Sequence, residues 1–188
     1  AKQILDDGTI GELRHFSAMF GFPPLPEGNF RYDMQIGGGV LMDAAGYPLR
    51  AAFNYLGDHL EVTGATLHAD PQTGTLMWGS AYLSGKESGV GASLAFGFDN
   101  FYQCRTEFWG SKGKLTMLKA FTPKADEAPE ILLEFQGSNE IIKAPADNHF
   151  ISALKECHAI IQHPERRSRH YHNILQQSAA LDEIRRLS

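Results

Sequence analysis

Four hydrogen-bonding side chains recur at helical spacing within the segment 37–57. They are Asp43, Tyr47, Arg50 and Asn54, and at about 100° per residue they share one side of a helix. A solvated helix face usually carries Lys and Glu, whereas this row carries a carboxylate, a phenol, a guanidinium and an amide. Such a row has the groups needed to hold a polar substrate and to transfer a proton to it.

Tyr47 is the candidate acid of this row. A free tyrosine has a pKa of about 10, so a phenol can protonate a developing alkoxide once a nearby cation lowers that pKa. Asp43, one turn earlier, could orient the phenol or bind a substrate hydroxyl. The structural alternative makes Asp43 a favourable charge in a first helical turn and Tyr47 an amphipathic core residue. Spacing alone does not separate the two interpretations.

Two arginines are candidate substrate anchors. Arg31 lies upstream of the segment and Arg50 lies within the row. A guanidinium can bind a phosphate, a carboxylate or a sugar hydroxyl through paired hydrogen bonds. The alternative for Arg31 is packing on a loop, or an ion pair with Asp33 or Asp43.

The other side of the same segment is apolar and predicts a helix facing the core. Pro48 removes the hydrogen bond to the Ala44 carbonyl, which indicates local strain. The glycines 37–39 either make a turn or admit a ligand close to the backbone, and they do not form a GxGxxG fingerprint. The apolar stripe consists of Leu41, Ala45, Leu49, Ala52, Phe53 and Leu56.

The rest of the chain predicts helices around a sheet. A first helix stops near Gly8, and alternation of apolar residues in 11–22 predicts a strand. From about Leu60 to Pro145, short strand patterns follow one another, with a tight hairpin at 111–113. Two helices close the chain, the first capped by Asp147 and the second spanning about 168–187. We expect an α+β fold, an open-faced, mostly antiparallel β-sheet in meander order with helices on one face.

An open sheet face would expose aromatic side chains to water, and a partner subunit is the simplest cover. We therefore expect self-association through this face. The rings expected on it are Trp78, Tyr82, Phe96, Phe98, Tyr102 and Trp109.

Composition excludes several functions. The 188 residues are 43% hydrophobic and 21% charged, which is typical of one globular domain spanning 1–188. The net charge of -5 argues against nucleic acid, and no apolar run is long enough for a membrane span. Cys104 and Cys157 lie far apart, which suits a reducing cytoplasm. We expect no metal site, because four histidines near the C-terminus match no zinc spacing: His158, His163, His170 and His172.

The segment GGGVLMDAAGYPLRAAFNYLG resembles the main helix of the second domain of Gfo/Idh/MocA oxidoreductases, whose pattern is close to GGGxLxDxGxYxxxxxxxxxG. ILDDGTIGELRHFSAMFGF, NFRYD and WGSKGKL are similar to that family's entry helix and first strand, its Asn-aromatic-Arg element and its hairpin. Ala45 and Gly46 depart from the usual order of a Gly followed by a larger residue. Members with Tyr at the position of Tyr47 include dihydrodiol/xylose dehydrogenases, glucose-fructose oxidoreductase and NDP-hexose 3-ketoreductases, and the last are the most similar through FRYD and YPLRAA.

The resemblance implies a C-terminal domain like that of dihydrodipicolinate reductase, preceded by an N-terminal Rossmann domain that is absent from this chain. Because the chain begins with Ala1 directly in a helix, we expect it to be the later part of a longer protein. The absent domain would bind NAD or NADP and supply a lysine that assists proton transfer. The chain alone is then expected to be inactive.

The implied function is that of the substrate-binding and oligomerising domain of an NAD(P)-dependent oxidoreductase acting on a sugar or sugar-derived carbonyl. Tyr47 matches the family's acid/base position, and Asp43 matches the acidic residue one turn before it. Arg31 and Arg50 would bind the small, sugar-like substrate, in a cytoplasmic homodimer or homotetramer. Two alternatives stay open: a non-catalytic ligand-sensing or regulatory protein on the same scaffold, and a domain whose only task is self-association.

Overall fold

The computed structural model describes residues 1–188 and is built on one eight-stranded sheet. The strand order is β2-β3-β4-β1-β5-β6-β7-β8, and every neighbouring pair is antiparallel except β1 and β4. The strands are β1 (Leu13–Phe22), β2 (Leu60–Ala69), β3 (Leu76–Gly85), β4 (Gly91–Phe98), β5 (Gln103–Gly110), β6 (Gly113–Met117), β7 (Glu130–Phe135) and β8 (Ser138–Lys143).

The prediction of a mostly antiparallel sheet is confirmed, but the simple meander order is wrong. Hairpins join β2, β3 and β4 into one group and β5, β6, β7 and β8 into a second group. Strand β1 lies between the two groups and runs parallel to β4. Phe16, Ala18 and Phe20 of β1 are buried, and the strand pairs with β4 on one side and β5 on the other. The chain reaches β2 from β1 only after crossing the helix layer, which places the site residues over the centre of the sheet.

Five α-helices accompany the sheet: α1 (Lys2–Asp6), α2 (Gly39–Asp43), α3 (Gly46–Leu56), α4 (His149–Gln162) and α5 (Arg167–Leu187). Helices α2 and α3 contact β3, β4 and β1, and α5 contacts β2 and α3. Their buried side chains form one core with the covered face of the sheet, including Leu49, Phe98, Phe108 and Ile184. No helix is long and apolar enough to cross a membrane.

The rings expected on the open face divide between the two faces. Trp78, Tyr82 and Trp109 are exposed there, whereas Phe96 and Phe98 are buried in the core. The expectation for these two phenylalanines is wrong because side chains alternate along β4, which places both on the same side as the buried Leu94. Tyr102 is exposed in the loop between β4 and β5.

Helix α4 has no buried residue, so it contributes nothing to the layer that covers the sheet. Large apolar side chains on this helix, among them Phe150 and Leu154, are exposed. The predicted cap is also corrected, because Asn148 Oδ1 accepts the hydrogen bond from the Ile151 amide at 3.2 Å. Asp147 instead accepts a hydrogen bond from a serine hydroxyl in the first turn.

Candidate active site

A cavity of about 500 Å³ lies between α3, α5 and the covered face of β5 and β6. All four residues of the predicted row line it, so the row derived from helical spacing faces a single space. The lining residues are Met42, Asp43, Gly46, Tyr47, Arg50, Ala51, Asn54, Tyr55, Thr106, Met117, Ala120, Phe121 and Gln177.

The row is carried by two helices rather than by one continuous helix. Helix α2 ends at Asp43 and α3 begins at Gly46, with the buried residues Ala44 and Ala45 between them. The Val40 carbonyl accepts hydrogen bonds from both intervening amides, at 2.9 and 3.1 Å, which widens the turn locally. Pro48 lies in the first turn of α3, where its missing N–H breaks no helical hydrogen bond.

Aromatic packing fixes the Tyr47 ring at the opening of the cavity. Its centroid lies 4.6 Å from that of Phe20 on β1 and 6.0 Å from that of Phe121 in the loop after β6. Tyr47 is nevertheless 44% exposed. A phenol held by its ring and open to the outside can approach a ligand that enters from solvent.

The Asp43 carboxylate is held by Arg31. The Arg31 Nε atom donates to both carboxylate oxygens, each at 3.0 Å, and the guanidinium also lies over the Phe30 ring. The two side chains are only 24% and 32% exposed. Asp43 lines the cavity whereas Arg31 does not, so the arginine reaches the site through the carboxylate.

Arg50 lines the cavity and ties α3 to α5. Its Nε donates to Gln177 Oε1 at 2.8 Å, and an Nη donates to the Asn173 carbonyl. Partial burial lowers the pKa of Arg50 from its ordinary value, and the Asp58 carboxylate opposes this change. Two of the five guanidinium N–H groups are thus engaged, which leaves three for a ligand.

The glycines 37–39, which lead into α2, shape a turn rather than a ligand cradle. A Cβ on Gly37 would lie 2.5 Å from the Phe30 carbonyl oxygen, and one on Gly39 would lie 2.9 Å from the Leu76 carbonyl oxygen. Gly38 and Gly39 also have positive φ angles of 70° and 68°. The space beside these backbones is therefore filled by the chain itself.

Sequence patterns missed the wall opposite the row, which comes from distant parts of the chain. Thr106 and Met117 of this wall lie on neighbouring strands, and Tyr55 on α3 packs against Phe108 of β5 with ring centroids 4.7 Å apart. Burial raises the pKa of Tyr55, so its phenol stays neutral at physiological pH. The only local signal for Thr106 is a polar residue within an otherwise apolar alternation. Nowhere does the chain bring together three or more His, Cys, Asp or Glu side chains that could hold a metal ion.

The fold and this cavity can be compared with known proteins. A profile describing the GFO/IDH/MocA C-terminal domain matches residues 1–116, which is more than half of the chain. The chain belongs to the GFO/IDH/MocA family. Its Tyr47 and Asp43 lie within the matched region, as does most of the cavity wall.

Relatives extend the match to nearly the whole chain. It is 35% identical over 96% of its length to a dTDP-3,4-didehydro-2,6-dideoxy-alpha-D-glucose 3-reductase of Streptomyces antibioticus, and 37% identical over 97% to that of Actinomadura kijaniata. The crystal structure of KijD10, a 3-ketoreductase from Actinomadura kijaniata, in complex with NADP and TDP-benzene superposes with a TM-score of 0.93 at 36% identity over 99% of the chain. The chain spans only 54–57% of the length of the two reductases and of KijD10.

Proposed function

We propose that this chain is the substrate-binding domain of an NADP-dependent oxidoreductase that reduces a keto group on a nucleotide-linked sugar. The observation that carries the proposal is the cavity that both Tyr47 and Asp43 line, in a chain at least 35% identical to dTDP-sugar 3-reductases. A pocket of this size with a few polar groups is typical of a small-molecule site. It suits a sugar better than a large apolar ligand because hydrogen-bonding groups line one side of it.

Tyr47 is the proton donor in this proposal. When bound, NADPH supplies the hydride that reaches the carbonyl carbon. The phenol of Tyr47 gives its proton to the carbonyl oxygen, so that ketone, hydride and proton together yield the alcohol. The exposure of Tyr47 allows the phenolate to regain a proton from solvent. Packing against Phe20 and Phe121 holds the ring, so that the hydroxyl needs little reorganisation before transfer.

Asp43 and Arg50 orient the substrate. Asp43 accepts a hydrogen bond from a substrate hydroxyl or from Tyr47, while Arg31 holds the carboxylate in place. Arg50 offers its three remaining N–H donors to sugar or phosphate oxygens. Arg31 is therefore a positioning residue in this proposal, rather than the direct substrate anchor expected from the sequence.

The cofactor would be held mainly outside this chain. The sequence contains no GxGxxG fingerprint, and the cavity wall carries one carboxylate and one guanidinium. These groups can face a nicotinamide and a sugar, but they provide no glycine-rich turn for a pyrophosphate. We expect the reading frame that encodes the chain to carry a strand-GxGxxG-helix unit and a Lys followed by Pro. If both the strand-GxGxxG-helix unit and the Lys followed by Pro are absent, the proposal that the protein is an enzyme gives way to the ligand-sensing alternative.

We also propose that a second copy of the chain covers the open sheet face. His68 and Trp78 stack on this face with centroids 3.9 Å apart, and His15 and Tyr82 stack at 6.3 Å. Exposed rings on a broad sheet favour burial against a matching surface. In a dimer with two-fold symmetry, the rings of one copy would pack against the same rings of the second copy.

The test of the catalytic proposal is NADPH oxidation by the product of the complete reading frame. We expect turnover with a dTDP-linked 3-keto sugar and much weaker turnover with the free keto sugar, because only the dTDP-linked sugar offers phosphate oxygens to the Arg50 guanidinium. An enzyme that oxidises no NADPH with either substrate would contradict the proposed function.

A further inference from the structure

One polar side chain on the cavity wall lacks any partner in the folded chain. Thr106 is fully buried on β5, and its Oγ1 atom has no hydrogen-bond partner. Five buried side-chain polar atoms in the structure share this condition, and Thr106 Oγ1 is the one that belongs to a residue lining the candidate site. A buried hydroxyl without a partner is costly and calls for an explanation.

The neighbours of Thr106 on the same face of β5 are satisfied. The Cys104 sulfur accepts a hydrogen bond from the Phe121 amide at 3.3 Å, and Phe108 packs against Phe16 with centroids 5.0 Å apart. The backbone of Thr106 is paired in register with Ala18 on one side and Met117 on the other. Only its hydroxyl is unused, so the strand does not require a polar side chain at this position.

Exposure decreases from the opening of the cavity to Thr106. Met42, Tyr47 and Asn54 are exposed at the rim, whereas Thr106 is inaccessible to solvent at the base. Of the charged lining groups, Asp43 is paired with Arg31, and Arg50 is hydrogen-bonded to the neutral Gln177. Thr106 itself is neutral, so the base favours a neutral hydrogen-bonding group over a charged one, which would lose its hydration there.

We propose that Thr106 determines substrate specificity by forming a hydrogen bond with a hydroxyl group of the sugar at the base of the cavity, once the entering sugar has displaced the side chains that cover the threonine hydroxyl. This inference rests on the proposed function, since it names the sugar as the occupant. A threonine hydroxyl both donates and accepts, and a sugar hydroxyl does the same. The site then favours a sugar that keeps this hydroxyl over a deoxy analogue, whose binding leaves Thr106 unpaired.

The test uses dTDP-glucose, an unreactive nucleotide sugar, and dTDP, which has no sugar. Both are titrated calorimetrically into the product of the complete reading frame. Thr106→Val removes the hydroxyl at nearly constant volume and should weaken dTDP-glucose binding about threefold to tenfold, with dTDP binding unchanged. Thr106→Ser should keep most of the affinity.

Thr116→Val is the matched control. Thr116 is also buried with an unpartnered Oγ1, but it does not line the cavity, so its variant should bind dTDP-glucose like the wild type. The melting temperature without ligand should not fall in Thr106→Val, because no protein hydrogen bond is lost.

Several results would overturn the role of Thr106: undetectable dTDP-glucose binding by the wild type, affinity of Thr106→Val within twofold of wild type, or equal weakening of dTDP. If Thr116→Val weakened dTDP-glucose binding as much as Thr106→Val does, the role of Thr106 would also be overturned. Absence of NADPH oxidation together with the predicted difference in binding would refute the reductase alone, so the two failures can be told apart.

Discussion

The Arg31–Asp43 ion pair yields a quantitative prediction, because it is the one contact that holds a proposed site carboxylate in place. A single Nε donor reaches both oxygens at 3.0 Å, with the side chains 24% and 32% exposed. Exposed pairs contribute about 0.2–1 kcal/mol, and breaking a fully buried pair costs about 3–5 kcal/mol. At this intermediate burial we expect a coupling free energy of about 1–2 kcal/mol.

The assay is a double-mutant cycle with Arg31→Met, Asp43→Asn and the double variant, each unfolded in urea. For a domain of this size, Arg31→Met should lower the melting temperature by about 2–8 °C. The double variant should lose less than the sum of the single variants, because neither group is then left without its partner.

The exposed pair between Arg14 and Glu12 is the matched control. Its atoms are also 3.0 Å apart, but the side chains are 59% and 72% exposed. Its coupling should be below about 0.5 kcal/mol and vanish at high salt, whereas the Arg31–Asp43 coupling should persist. Equal couplings for the two pairs would refute the argument from burial.

Two further predictions concern pH and assembly. Burial raises the pKa of Tyr55, so above about pH 10 the unfolded chain loses this proton first and the free energy of unfolding falls as pH rises. In urea unfolding at a series of pH values, Tyr55→Phe should reduce the decrease in the free energy of unfolding above about pH 10. An unchanged dependence on pH would contradict the raised pKa of Tyr55. Tyr82→Arg should convert the oligomer to a monomer in light scattering, whereas Ile36→Arg, at an exposed residue in the loop before α2, should not. A dimer that survives Tyr82→Arg would argue against pairing through the open face.

Local patterns predicted the elements well because their causes are local. Alternation along β1 and the apolar stripe of α3 each reflect one buried face, and the structure buries Phe16 and Leu49 as expected. The hairpin at 111–113 followed from turn chemistry, and Ser111 and Lys112 do separate β5 from β6. These predictions required no knowledge of distant contacts.

The sequence predictions failed where contacts between distant parts of the chain determine the structure. The place of β1 beside β4 depends on the path of the chain across the helix layer, which no single strand pattern encodes. The burial of Phe96 depends on the face that α2 and α3 cover. Thr106 joins the site only because β5 lies beneath α3, so the sequence predicted one wall of the cavity and missed the other.

The central claim is that Tyr47 donates the proton, and the single-turnover rate of Tyr47→Phe tests it most directly. The phenylalanine keeps the packing against Phe20 and Phe121, so binding of the dTDP-linked 3-keto sugar should change little. We predict that the rate of NADPH oxidation falls about 10²- to 10⁴-fold, while the exposed control Tyr171→Phe keeps the wild-type rate. A Tyr47→Phe enzyme that matches the wild-type rate would contradict the account.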